Sequence, residues 1–142
     1  VQNAWVKDKG TWYFMNDKGI MFNQTWLYQG SNWYAFKSSG AMIASDWLYD
    51  NGSWYYLKDS GAMATGWVKD SGTWYYLNNS GSMATGWMKD NGSWYYLKDS
   101  GAMATGWVKD GGQWYYLASS GKMLHNTYTP DGYYVDASGA WK

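Results

Sequence analysis

Two tryptophan series run through the chain in step. Trp5, Trp26, Trp47, Trp67, Trp87 and Trp107 form one, and Trp12, Trp33, Trp54, Trp74, Trp94 and Trp114 form the other. Both advance by 21 residues twice and then by 20 residues three times, so every unit carries two Trp seven residues apart. A fixed period of this length is the mark of a repeat array. A unit this short cannot bury an apolar face alone and must stack on its neighbours.

Each unit reads as a β-hairpin followed by a connection. Asn51-Gly52 and Asn91-Gly92 separate aromatic-rich segments, a strong signal for a two-residue turn. Ser71-Gly72 and Gly111-Gly112 stand in the same place. The connection is KDSGAMATG or a close variant, and its Met21, Met42, Met63, Met83, Met103 and Met123 recur in phase. With Asn51-Gly52 as the turn, Asp50 opposes Ser53, Tyr49 opposes Trp54, Leu48 opposes Tyr55 and Trp47 opposes Tyr56. Opposed residues share a face and alternate residues change face. One face then carries Trp47, Tyr49, Trp54 and Tyr56, and the other carries Leu48, Tyr55 and Leu57.

The second face is the expected interior. It comprises Val6, Leu27, Leu48, Val68, Met88 and Val108, with Tyr55, Tyr75, Tyr95 and Tyr115, and with Leu57, Leu77, Leu97 and Leu117. The Met residues are natural gap fillers. The expected class is all-β, a solenoid of stacked hairpins with about 20 residues per repeat. Six repeats span 5–124, and 125–142 read as an atypical C-terminal cap hairpin within a single module of 1–142. In the cap, Tyr133, Tyr134 and Val135 align with the YYL segment, and Trp141 falls at the Met position.

Composition narrows the function. All 11 basic residues are Lys and all 11 acidic residues are Asp, giving a formal net charge of 0. No basic run offers a groove to a nucleic-acid backbone. No stretch approaches the length of a membrane span. There is no Cys, and His125 is the single histidine, so thiolate chemistry and zinc or copper clusters lack their ligands. His125 reads as solvated or locally hydrogen-bonded. Asp8, Asp50, Asp70, Asp90 and Asp110 flank hairpin turns, and Asp59 and Asp99 enter connections, where turn capping accounts for them. They show no EF-hand spacing, and recurrence at turns argues against a glycosidase carboxylate pair. The expected module has no catalytic residues, cofactor or metal. No signal peptide is visible, and the chain reads as a mature protein or as a piece of a larger one.

The 31 aromatic residues (13 Trp, 15 Tyr, 3 Phe) are the informative excess. If the interior is supplied by one face, two Trp and one Tyr per unit remain on the other. That is too much ring surface to leave exposed, and it points to aromatic boxes where units meet. A quaternary ammonium suits such a box through cation–π attraction and apolar contact. Several boxes on one chain would engage a polymer of repeated ligands with avidity. Sugar stacking is the competing ligand class, as in glucan-binding repeats, and a purely structural aromatic solenoid is the third reading.

The segment TGWVKDSGTWYYLNNSGSMATGWMKDNGSWYYLKDSGAMATGW, residues 65–107, resembles the choline-binding repeats of Gram-positive cell-surface proteins and murein hydrolases, notably of pneumococci and their phages. The resemblance covers essentially the whole chain. It implies a left-handed solenoid that binds choline or phosphocholine on teichoic and lipoteichoic acid, outside the cell and associated with the wall. It also implies an effector domain elsewhere in the protein, and it admits a homodimer through terminal repeats. In the family, two Trp of one repeat meet a Tyr of the next, commonly with a Met nearby. Carried onto this chain, the boxes are Trp26, Trp33 and Tyr56; Trp47, Trp54 and Tyr76; Trp67, Trp74 and Tyr96; Trp87, Trp94 and Tyr116. A further box at Trp107, Trp114 and Tyr134 falls at the shortened last interval. On this alignment Trp5 and Trp12 would need a Tyr at residue 35, where the chain has Ala35, so their box is incomplete. Lys69, Lys89 and Lys109 are candidates to approach a phosphate, though a solvated lysine stem is the plainer reading.

Overall fold

The computed structural model describes residues 3–142. Every strand it contains is paired in a two-stranded antiparallel hairpin or a two-residue cap pair, and no helix occurs among the described residues. The hairpins are β1 (Ala4–Asp8) with β2 (Thr11–Met15), β3 (Trp26–Gln29) with β4 (Asn32–Ala35), and β5 (Asp46–Asp50) with β6 (Ser53–Leu57). They continue with β7 (Gly66–Asp70) and β8 (Thr73–Leu77), β9 (Gly86–Asp90) and β10 (Ser93–Leu97), and β11 (Gly106–Asp110) and β12 (Gln113–Leu117). β13 (Thr127–Tyr128) pairs with β14 (Tyr134–Val135). This is the all-β hairpin architecture that the tryptophan period predicts.

The turns are the primed type that matches strand twist. Asn51 and Gly52 have φ of 50° and 84°, and Asn91 and Gly92 have 49° and 84°. Asn tolerates this left-handed region and Gly adopts it freely. The register follows: Asp50 faces Ser53, Tyr49 faces Trp54, Leu48 faces Tyr55 and Trp47 faces Tyr56.

The chain divides into two compact units. One runs to Gly66 and includes Leu77–Ser82; the other comprises Trp67–Tyr76 and Met83–Lys142. Within each unit, successive hairpins are tied by a repeated backbone bond. The amide of the Met that follows one hairpin donates to the carbonyl of the second Trp of the hairpin before it. Met42 donates to Trp12 at 2.9 Å, and Met63 to Trp33, Met103 to Trp74 and Met123 to Trp94 at 2.8 Å each. Trp141 repeats the bond to Trp114 at 2.8 Å.

The connections turn tightly through glycine for a second reason besides backbone angle. Gly101 has φ of 89°, and a Cβ there would lie 2.2 Å from the Sδ of Met83, one connection earlier. Each Met thus lies under the glycine of the following connection, and only a residue without a side chain lets it do so.

The interior is narrower than the expected second face. Leu57, Leu77 and Leu97 are fully buried, as is Val135, with Ala64 and Ala104 beside them in burial. Each fully buried aliphatic contributes roughly 1.5–3 kcal/mol. Val6, Leu27, Leu48, Val68, Met88 and Val108 are only half-buried. The reason is that the two faces do not serve separate purposes. The cluster around Leu97 joins Tyr95 and Met88 of one hairpin to Trp67 and Tyr76 of the preceding one. Within each unit, the tryptophan face of one hairpin therefore packs against the leucine face of the next.

Candidate functional site

The Trp pair of a hairpin forms a corner. Trp67 and Trp74 have ring centroids 6.3 Å apart at 87°, Trp5 and Trp12 are 6.3 Å apart at 90°, and Trp107 and Trp114 are 6.5 Å apart at 87°. The second Trp is the exposed wall: Trp74 is 39% accessible and Trp94 41%. A Tyr of the next hairpin supplies a third wall edge-on to the first Trp. Tyr34 lies 4.9 Å from Trp5, Tyr95 4.9 Å from Trp67, Tyr115 5.1 Å from Trp87 and Tyr133 5.9 Å from Trp107.

Each of these corners encloses an open cavity. Trp67, Trp74, Tyr95, Met103 and Ser120 line about 290 Å³, and Trp87, Trp94, Tyr115, Met123 and Ser138 line about 440 Å³. Trp5, Trp12, Tyr34, Met42 and Ser60 line about 310 Å³. At the C-terminal end Trp107, Trp114 and Tyr133 are joined by Trp141, which replaces the Met wall, around about 300 Å³. Trp26 and Tyr55 repeat the contact at 5.2 Å, and the Met63 amide is bonded to Trp33. Met is placed at the wall by the same backbone bond that joins the hairpins.

The third ring differs by one residue from the expected one. Tyr96, Tyr116 and Tyr76 each pack against the first Trp of their own hairpin, at 5.0 Å from Trp87, 5.1 Å from Trp107 and 5.1 Å from Trp67. Tyr56 sits likewise 5.0 Å from Trp47, and Tyr134 packs 5.1 Å from Tyr128. Strand alternation explains the shift. The neighbour that closes a corner must present its leucine face, which carries Tyr55, Tyr95 and Tyr115. The rings assigned to the interior are thus the closing walls, and Tyr56, Tyr96 and Tyr116 brace the tryptophans from within their own hairpins. A signal for this was available in the sequence: the first Tyr after the second Trp is unbroken from Tyr13 to Tyr115, whereas the next position becomes Phe14 and Ala35.

The shift also changes the meaning of Ala35. It opposes Trp26 in its own hairpin. It has no part in the first corner, which Tyr34 closes, so Trp5 and Trp12 have a complete set of rings.

The turn aspartates do more than cap. The indole N–H of Trp67 donates to Asp90 of the next hairpin at 3.2 Å, Trp26 to Asp50 at 3.2 Å, Trp87 to Asp110 at 3.0 Å and Trp107 to Asp131 at 2.9 Å. The bond fixes the ring plane, and the aspartates are not among the residues that line the corners. Asp131 also accepts from the Thr129 hydroxyl; that bond first, and the Trp107 indole second, hold its carboxyl below its ordinary value.

The lysines lie over rings. Nζ of Lys69, Lys89 and Lys109 stands 5.8, 5.8 and 5.9 Å from the centroids of Trp74, Trp94 and Trp114, and Lys7 stands 5.5 Å from Trp12. Tyr28 and Tyr49 take this place against Trp33 and Trp54, each at 5.0 Å. His125 is exposed.

Residues 49–85 and 84–128 match the model of the choline-binding repeat, and residues 3–21 and 24–42 match that of a putative cell wall binding repeat. A search of curated proteins finds no match. Among solved structures, choline binding protein F of Streptococcus pneumoniae, crystallised with a peptidoglycan analogue, is 44% identical with a TM-score of 0.87, over 100% of this chain and 47% of that one. CbpJ of the same species is 45% identical with a TM-score of 0.89, over 99% and 48%. The pneumococcal cell wall endolysin of phage Cp-1, solved with choline, is 40% identical with a TM-score of 0.65, over 95% and 41%. The chain thus spans about half the length of these relatives or less. The paired tryptophans, the hairpin register and the two repeat matches agree, and the chain belongs to the choline-binding repeat family.

Proposed function

We propose that this chain is a non-enzymatic module that binds choline or phosphocholine and attaches a protein non-covalently to choline-decorated teichoic acids of the cell wall. One observation carries the reading. The corners are walled by three rings and a Met or Trp, with a single Ser as the polar lining residue where one is present. A trimethylammonium group needs ring faces and apolar contact, and each cation–π contact contributes roughly 0.5–2 kcal/mol. A sugar would call for several polar partners around each stacking ring.

A single corner binds weakly, and corners repeated along one chain gain avidity on a polymer of phosphocholine units. The ligand-binding residues are therefore Trp5, Trp12 and Tyr34; Trp26, Trp33 and Tyr55; Trp67, Trp74 and Tyr95; Trp87, Trp94 and Tyr115; and Trp107, Trp114 and Tyr133. The cell-wall location, outside the membrane, follows from this ligand, and the attached activity belongs to a further domain. Calorimetric titration with choline, phosphocholine and a soluble glucan tests the proposal. Saturable binding of the first two, with none for glucan, is the expected result. Glucan binding without a choline response overturns it.

A further inference from the structure

Three corners share a fourth wall of one kind. Met42, Met103 and Met123 line the corners of Trp5, Trp67 and Trp87, and Ser60, Ser120 and Ser138 stand with them. Each Ser precedes the glycine under which that Met lies. A Cβ at Gly61, Gly121 or Gly139 would come within 2.4, 2.3 and 2.5 Å of the Sδ of Met42, Met103 and Met123 in turn. The fourth wall there is a thioether held by the following connection.

The C-terminal corner is built differently. Trp141 holds the methionine register: its amide donates to Trp114 at 2.8 Å as that of Met123 does to Trp94, and it bridges to Val135 as Met123 does to Leu117. The lining becomes Trp107, Trp114, Tyr133 and Trp141, with neither Met nor Ser. The four rings meet in sequence. Trp114 lies 6.5 Å from Trp107 at 87°, Trp107 lies 5.9 Å from Tyr133 at 70°, and Tyr133 lies 5.9 Å from Trp141 at 79°. Each plane turns steeply from the last, as the walls of a box do. Their surface is uncovered as well: Tyr133 is 49% accessible and Trp141 45%, against 8% for Tyr95.

Volume does not set this corner apart, since it holds about 300 Å³ and the Trp67 corner about 290 Å³. The chemistry of the fourth wall does. A thioether offers a cation polarizable apolar contact. An indole adds the attraction of its ring quadrupole, the strongest among the aromatic side chains. One further contact of that kind changes affinity by roughly 2- to 30-fold. A neutral group of the same shape gains none of this attraction.

We propose that Trp141 is a specificity-determining residue that makes the C-terminal corner the first to load with a quaternary ammonium and the most selective for its positive charge. The inference rests on the quaternary-ammonium reading of the corners and says which of them anchors the chain. The Met corners of the same compact unit then engage further ligands of a polymer by avidity.

The full chain is titrated with choline and, separately, with 3,3-dimethylbutan-1-ol, the neutral carbon isostere of choline. The indole N–H resonances of Trp107 and Trp67 report the two corners by heteronuclear NMR, each assigned by its own Trp→Phe variant. Choline should bind at Trp107 about threefold more tightly than at Trp67, or better, and the ratio of choline to isostere affinity should be larger there by a similar factor. Trp141→Met should bring both quantities down to those of the Trp67 corner. Trp141→Phe keeps a ring and should retain most of the difference, which a purely structural role for Trp141 would not produce. Equal ratios at the two corners of the native chain, a comparison that needs no Trp141 variant, overturn the proposal. So does a ratio at Trp107 that is unchanged in folded Trp141→Met. Saturable choline binding with equal ratios overturns this inference alone, whereas no choline response at either Trp overturns it together with the ligand reading.

Discussion

The indole N–H of Trp87 donates to Oδ2 of Asp110 at 3.0 Å, across 23 residues and from one hairpin to the turn of the next. A turn residue of one repeat thereby sets the ring plane of its predecessor. The same bond recurs from Trp26, Trp67 and Trp107, so each of these four corners depends on the repeat that follows it.

Removing that acceptor should loosen the corner without unfolding the hairpin. Asp110→Ala is expected to weaken choline binding at Trp87, Trp94 and Tyr115 by about 1 kcal/mol, the usual net value of such a bond. Asp110→Asn keeps an acceptor and should cost less. Calorimetry on both variants checks the order, and equal loss in the two would point to charge rather than ring orientation.

Tyr95 and Tyr96 should behave differently although they are adjacent. Tyr95→Leu removes a wall of the Trp67 corner and should reduce its choline affinity by roughly 0.5–2 kcal/mol. Tyr96→Leu removes the brace on Trp87 and should act mainly on stability. Choline titration beside urea unfolding separates the two effects. A larger affinity loss at the Trp67 corner from Tyr96→Leu would show that the wall is misassigned.

Gly101→Ala should be among the more damaging small substitutions. Its φ of 89° disfavours any side chain, and the new methyl would meet Met83 at 2.2 Å. Backbone strain and overpacking together are expected to cost about 2 kcal/mol or more. Urea unfolding measures it. Met83→Ala in the same chain should recover the packing part only.

Acid should reach the C-terminal corner late. The carboxyl of Asp131 is held below its ordinary 3.8 by Thr129 and then Trp107. A lowered folded pKa gives stability that is complete above the unfolded value and is lost as pH falls through the folded one. The Trp107 indole bond should therefore be intact at neutral pH and weaken only below about pH 4. The indole proton of Trp107 reports this by NMR. Loss of the bond already near neutrality would refute the assignment, and Asp131→Asn should remove the acid step.

Local chemistry determined the hairpins. Turns such as Asn51-Gly52 specify a two-residue connection, the turn sets the register, and the register decides which residues share a strand face. The paired tryptophans, the recurring Met and the family could all be read at this level, because each depends on residues within one period. Which ring closes a corner could not. Alternation separates Tyr95 from Tyr96, but it does not say which side of the hairpin turns back toward Trp67. That is decided by packing the tryptophan face of one hairpin on the leucine face of the next. The same stacking brings Asp90 to the indole of Trp67 and Tyr34 to the ring of Trp5, so that Ala35 is no missing wall of the first corner. These relationships join residues more than a period apart, and only the tertiary structure brings them within bonding distance.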